Sequence, residues 1–361
     1  MLLSNKRYEI ELWDMSGHML ADISHMARDR EFTLERNEAE TLQFSLDLNE
    51  FQAFARSINT HPRNLIQVYQ TDVKVKRDGQ YLFGTQIVDM PVTLGEESST
   101  IAVTCKGYLN LFKDRYITKN YVATDAAMIA RDMITYVQSL PYGNVGVLML
   151  PFPYLTSKFR DRTYSLSNVK TSLQNLTELI DGRFDFAFTW DKKFQTYERL
   201  GAVRADLPLT YGGVGSNIKS VVVPRSGTSL FNRVIGLGSG FGDDQLRSTK
   251  DDVQSQMAYY LREDIKQFNS VEIQTTLDQN TSAALALEKD ILEIPEVVVT
   301  SAVFEGKPFV SIGDRFPLAI LGHPLLDDIA GQYQVEQLTV RLDENDFEQI
   351  TLKFDNYREL A

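Results

Sequence analysis

A chain of 361 residues has room for roughly two to four domains, each able to bury its own core. Its 43% apolar and 24% charged content is ordinary for a soluble globular protein, and its net charge of −12 is diffuse, with no long block of one sign. That balance speaks against a nucleic-acid surface, which needs a basic face to displace counterions.

Residues 1–14 regain charge before any apolar run forms, so no signal peptide is expected. Residues 7–14 alternate as a strand and turn at Ser16-Gly17. Residues 31–48 read as two strands with a charged connection, the second carrying Leu42, Phe44, Leu46 and Leu48 on one face. Further strands are predicted over 65–70, 73–92 and 100–107. Asp78-Gly79 is a hairpin signal, because both central residues of a type I′ turn must be left-handed. Cys105 is the sole cysteine, which excludes an intrachain disulfide framework. It shares the parity of Ile101 and Val103, so it reads as a buried strand thiol rather than a nucleophile. Short strands and tight turns over residues 1–111 predict an antiparallel barrel, since closure removes exposed edges.

The pattern changes after Asp114. Thr124 is the expected cap of a helix over 125–140, with Ile129, Met133, Val137 and Leu140 as its apolar stripe. The most apolar run, 145–155, is broken by Pro151 and Pro153 and falls well short of the about 20 residues that cross a bilayer. Asn168 caps a second helix over 169–181, with Val169, Leu173, Leu176 and Ile180 inward and Gly182 as its left-handed terminator. Phe184, Phe186, Phe188 and Trp190 share one face of a hairpin that turns at 191–193. Residues 112–205 therefore read as a small α+β module.

A glycine-rich loop at 211–216 leads to strands over 218–227 and 231–240. Residues 243–270 carry no decisive pattern, and 271–277 look extended. A helix over 281–293 places Ala284, Leu287 and Ile291 on one side and stops before Pro295. The β-branched run 297–303 then resumes the strand pattern.

The ends of the chain echo each other. Residues 65–108 and 315–357 each place a strand, a turn, a Gly-Gln-Tyr opening into a second strand, an acidic turn and a closing strand. The fold-marking residues are Gly79, Gln80 and Tyr81 in the first copy, and Gly331, Gln332 and Tyr333 in the second. The expected fold class is mainly β with α+β insertions: two related antiparallel β-barrels joined by small α+β modules. The second barrel is split, 206–242 with 295–361, around an α+β insertion at 243–294.

Motifs for chemistry are weak. The glycine-rich run 234–244 follows a strand, but Asp243 and Asp244 would repel a phosphate and no apolar-striped helix follows, so a turn is the better reading. His18, His25, His61 and His323 are scattered, with no metal-ligand spacing. The pairs Asp243-Asp244, Asp251-Asp252 and Asp327-Asp328 lack the alternating ligands of a calcium loop and read as solvated turns. No Gly-x-Ser-x-Gly elbow is present. Lys113, Arg115 and Lys119 interleave with Tyr116 and Tyr121, which reads as a solvated link before an interaction patch. No catalytic residue, metal site or cofactor is assigned.

The order of these pieces resembles the tail-hub proteins of contractile and long non-contractile phage tails, related in fold to the myovirus baseplate hub. In that comparison the Gly-Asp turn before a strand corresponds to Gly313 and Asp314. The helix and aromatic hairpin correspond to 168–190, and the charged segment before an inserted helix to 259–268. The resemblance implies a non-enzymatic homotrimer whose six barrels form a pseudo-sixfold ring. Its neighbours would be a distal tail or tail-tube protein above, and tail-tip, fibre or receptor-binding proteins below. Genome and tape-measure protein would pass through the lumen without sequence-specific binding. The implied location is the virion tail, with assembly in the host cytoplasm and no membrane span. Related chains often continue into a lysin, fibre or needle domain, for which the residues after the last strand segment leave no place, so no cell-wall-degrading activity is expected. The alternatives are a carbohydrate-binding tail accessory protein, with Tyr154 as the candidate glycan contact, and a cell-wall hydrolase.

Overall fold

The computed structural model describes residues 7–96, 98–179, 182–268, 271, 273–290, 292–293, 295–326 and 329–355. The Asp327-Asp328 pair, Ile180 and Ile291 of the predicted helix stripes, and the last residues of the C-terminal echo lie outside them. The described residues divide into two compact units, one of 7–221 with 297–355 and one of 222–296.

The first part of the larger unit supplies β1 (Tyr8–Asp14), β2 (Met19–Asp22), β3 (Arg28–Glu35) and β4 (Thr41–Asp47), then helices α1 (Leu48–Ser57) and α2 (Pro62–Leu65). Next come β5 (Thr71–Arg77), β6 (Gln80–Asp89), β7 (Val92–Leu94) and β8 (Ser99–Gly107). Alternation sets the buried face: Leu42, Phe44 and Leu46 of β4 are buried, as are Ile101, Val103 and Cys105 of β8. Burial also pushes the Cys105 thiol far up, consistent with an inert core residue.

The α+β region adds β9 (Tyr116–Asp125), α3 (Ala126–Ser139), β10 (Leu148–Met149), β11 (Phe159–Asn168), α4 (Val169–Thr177), β12 (Asp185–Phe188) and β13 (Lys193–Tyr197). Helix α3 starts one residue later than predicted. Asp125, not Thr124, is its cap: Asp125 Oδ1 accepts from the Ala127 amide at 2.9 Å, while the Thr124 hydroxyl turns back to the Val122 carbonyl. Asn168 caps α4 as expected, accepting from the Thr171 amide at 3.1 Å. That helix ends at Thr177, so Gly182, although left-handed at φ 80°, stands beyond it. Ile129, Met133, Val137, Val169, Leu173 and the phenylalanines of β12 and β13 form one core. Fully burying each such side chain contributes about 1.5–3 kcal/mol. Strands β14 (Leu209–Tyr211) and β15 (Ser220–Val222) follow.

The smaller unit holds β16 (Arg225–Ser226), β17 (Arg233–Leu237), β18 (Arg247–Asp251), α5 (Val253–Tyr259), β19 (Glu263–Gln267), α6 (Gln274–Glu288) and β20 (Leu292–Glu293). Its three-stranded sheet has the order β18-β17-β19. Helix α6 packs on that sheet and takes in residues 274–277, which had looked extended. Its buried stripe is Leu277, Thr281 and Leu285, whereas Leu287, expected inward, is exposed.

The chain returns to the larger unit through β21 (Glu296–Thr300), β22 (Arg315–Ile320), β23 (Ala330–Leu342) and β24 (Glu348–Asp355). These strands correct the expected pair of barrels. One 14-stranded sheet contains both ends of the chain, in the order β15-β21-β24-β23-β3-β4-β8-β6-β5-β1-β2 with β14 and β22 branching from β23 and β7 from β8. Among the described residues no ladder joins its two ends, so neither half closes into a barrel. The physical reason is the 13-residue length of β23. Its first residues pair with β22, while Gln337–Leu342 pair with β24 on one side and β3 on the other. The C-terminal strands therefore continue the N-terminal sheet instead of closing on themselves. What the echo does produce is two antiparallel meanders, β5-β6-β8 and β22-β23-β24.

Candidate functional site

The first Gly-Gln-Tyr begins at the β5–β6 hairpin, where Asp78 and Gly79 adopt φ of 50° and 76°, both left-handed as a type I′ turn demands. Gln80 is exposed and faces Arg77 across the turn. Tyr81 points toward the α+β region. Its ring stacks on Trp190, with centroids 3.7 Å apart and planes 10° from parallel, and its hydroxyl donates to Glu11 Oε2 at 2.9 Å.

Around that stack lies a dense set of charges and rings. Lys74 Nζ sits 3.5 Å from the ring centroid of Trp13 and 4.7 Å from that of Trp190, the only two tryptophans of the chain. Trp13 Nε1 donates to Glu11 at 2.9 Å, and Lys76 pairs with the same carboxylate. Lys192 pairs with Asp72 at 2.7 Å, and the Tyr108 hydroxyl donates to the Trp190 carbonyl at 3.3 Å. Burial lowers the Lys74 pKa against the pull of Asp72, Asp191 and Glu11. Burial likewise raises that of Asp72, against the Lys192 charge. For Lys76, burial disfavours the cation, but the Glu11 hydrogen bond and charge outweigh it and raise the pKa. These groups are mutually committed: each carboxylate meets a cation or a ring N–H. The arrangement is suited to fastening the hairpin of β12 and β13 to the sheet, and it leaves no free base beside a nucleophile.

The second Gly-Gln-Tyr opens β23. Gly331 and Gln332 are exposed opposite Leu318 and Pro317, whereas Tyr333 is buried and meets the ring of Phe354 at 6.3 Å. Gly313 and Asp314 form a clamp before β22. Asp314 is buried and accepts from the amides of Ala202 at 2.8 Å and Ser311 at 3.0 Å, and from Arg204 Nη1 at 3.2 Å. A Cβ on Gly313 would lie 2.3 Å from the Leu200 carbonyl oxygen, so only glycine permits that backbone approach.

Tyr154 is half-buried, its amide donating to the Thr196 carbonyl and its ring packed on the α+β core. Lys113 reaches the Tyr69 hydroxyl, Arg115 the Gly143 carbonyl and Lys119 the Asp132 carboxylate, so the basic run is spent on its own chain. The glycine-rich run forms β17 and a turn that includes the short 3-10 segment Gly242–Asp244. Among the described residues no group of three or more His, Cys, Asp or Glu side chains could hold a metal ion, and no helix is long and apolar enough to cross a membrane. Sequence reasoning passed over Trp13 of β1 and Asp72 and Lys74 of β5, which meet the β12–β13 hairpin from elsewhere in the chain. Only the rarity of tryptophan in the chain marked two of the positions involved.

No protein-family model and no curated protein matches the sequence. Solved structures do match. A tail protein from Neisseria meningitidis superposes with a TM-score of 0.68 at 12% identity, covering 98% of this chain and 97% of the other. A 43 kDa prophage tail protein from Shewanella oneidensis gives 0.64 at 11% identity, covering 96% and 98%. A prophage tail protein from Listeria monocytogenes gives 0.57 at 12% identity, covering 97% and 95%. The chain thus shares its fold, nearly end to end, with tail proteins.

Proposed function

We propose that this chain is a structural hub subunit of a phage or phage-like tail, a non-enzymatic adaptor between tail tube and tail tip. The observation that carries the reading is whole-chain fold similarity to tail proteins, over 98% of this chain and 97% of the Neisseria meningitidis protein. The committed charges of the Lys74 cluster fit a rigid assembly part better than a reaction centre. In the proposed assembly three copies form a ring, each contributing the β5-β6-β8 and β22-β23-β24 meanders as two related positions, which lets a threefold object meet a sixfold tube. A distal tail or tube protein sits above, tip or fibre proteins sit below, and the genome passes through the lumen. The diffuse net charge of −12 would limit adhesion of passing DNA.

The test is light scattering and negative-stain imaging of the full chain, alone and with co-expressed tail-tube and tail-tip proteins. Threefold particles are the expected result. A strict monomer under both conditions would overturn the reading.

A further inference from the structure

A cavity of about 210 Å³ opens inside the larger unit, between the β3–β4 turn, β6, β12 and residues 309–312. Much of its wall is apolar, including Leu34, Phe83, Phe186, Phe188 and Phe309. Its polar wall carries three carboxylates, and two of them are engaged. Glu38 takes Lys170 at 2.5 Å and Gln174 at 2.8 Å, and Glu35 accepts from Gln337 at 3.2 Å. Asn37 is also spent, on Asp185 and the Phe186 amide. Glu40 is different: its carboxyl takes a hydrogen bond from its own backbone amide, and among the described residues it joins no ion pair. The chain makes room for it, since a Cβ on Gly107 would fall 1.7 Å from Glu40 Oε2.

We propose that this cavity binds a primary alkylammonium group, with Glu40 as counter-ion and the phenylalanine rings around the methylene stem. A carboxylate held only by its own amide in an aromatic-walled space costs desolvation that a cation relieves, and ring faces attract the same ammonium. Burial pushes the Glu40 carboxyl up to about 7, with the Glu38 charge adding to it, so near neutral pH a cation has an ionisation to stabilise. The volume suits a short chain, since drug-sized ligands take about 300–1,000 Å³. The group has two sources, a lysine side chain of a neighbouring protein or a free amine. The site is independent of the tail assembly proposed above.

Calorimetric titration of the full chain at pH 8 with n-butylammonium chloride, Nα-acetyl-lysine methylamide and n-butanol tests it. Butylammonium should bind, and butanol should bind at least about tenfold more weakly. Glu40→Gln should weaken the amine by at least about tenfold with a cooperative melting transition retained. Ala187→Leu fills the cavity from its lining, keeps Glu40, and should abolish binding. Binding of the lysine amide assigns the site to a protein side chain, and binding of butylammonium alone assigns it to free amines. Equal binding of butanol and butylammonium, unchanged affinity in Glu40→Gln, or no binding of either amine overturns the proposal.

Discussion

The two Gly-Gln-Tyr segments share a sequence and a three-stranded meander, yet their tyrosines do opposite things. Tyr81 lies half-exposed at a tight turn and stacks on Trp190, fastening the sheet to the α+β region. Tyr333 enters from the longer connection after Ile320 and is buried in the core against Phe354. The tripeptide therefore marks a position in the meander, not a shared contact. What a copy does depends on which element covers it. The two copies are also joined directly. Arg77, at the end of β5, donates through Nε to Glu348 Oε1 at 2.7 Å and through Nη2 to Oε2 at 3.2 Å, and Glu348 opens β24.

That link gives the largest expected effect. Glu348 is fully buried at its side chain and Arg77 nearly so, so Glu348→Ala takes away the buried, two-point partner of the guanidinium and leaves it only the exposed Asp78 carboxylate, at 2.8 Å. The expected loss is about 3–5 kcal/mol of unfolding free energy in urea titrations. A loss below about 1 kcal/mol would show that the two meanders are energetically separate.

A pH scan separates the copies further. Glu40 lies against Gly107, the last residue of the first meander, and its carboxyl is raised from 4.5 to about 7, by burial first and then by the Glu38 charge. The folded pKa lies above the unfolded one, so between pH 4.5 and about 7 the folded chain holds a proton that the unfolded chain releases. Stability therefore falls as pH rises through that window, by about 3 kcal/mol in all. Glu40→Gln should flatten this part of the profile. An unchanged slope would exclude Glu40 as its source.

The tyrosines themselves come next. Tyr81→Leu removes the Trp190 stack and the bond to Glu11, and should cost about 2 kcal/mol. It should also alter tryptophan fluorescence in the folded state. Tyr333→Leu should leave that emission unchanged, because its ring partner is Phe354. Equal emission changes would erase the distinction between the copies.

Local rules were legible at several places where one residue and its near neighbours decide the outcome, although the cap of α3 fell one residue after the one expected. Asn168 needs only the Thr171 amide, and Asp78-Gly79 only its own dihedrals. Rules that depend on a distant partner were not. Alternation in β23 tells which residues face inward, but not that its second half borders β3, and that ladder decides between two barrels and one sheet. The first half of helix α6, ahead of the predicted start at 281, hid for a different reason: its buried stripe includes Thr281, whose hydroxyl is satisfied by the Leu277 carbonyl, so a polar residue interrupted the apolar period. The Lys74 cluster and the Glu40 cavity draw on strands far apart in the chain, and nothing local announces either. Tyr154 was legible as an aromatic in a loop, but not as one half-buried on the α+β core.

The smallest effect is also the cleanest test of the comparison, because it uses one substitution at matched positions. Gly79 has φ of 76°, and a Cβ there would have nothing within 4 Å, so Gly79→Ala meets no clash and costs only the left-handed backbone. About 1 kcal/mol is expected. Gly331 does not adopt a positive φ, and a Cβ there would meet only the Tyr333 ring, at 3.8 Å, an ordinary contact. Gly331→Ala should therefore fall within about 0.5 kcal/mol of wild type, or stabilise slightly by restricting the unfolded chain. Paired urea titrations resolve the difference. Equal costs at the two sites would mean that both glycines serve the same turn geometry, and that the echo extends to the backbone after all.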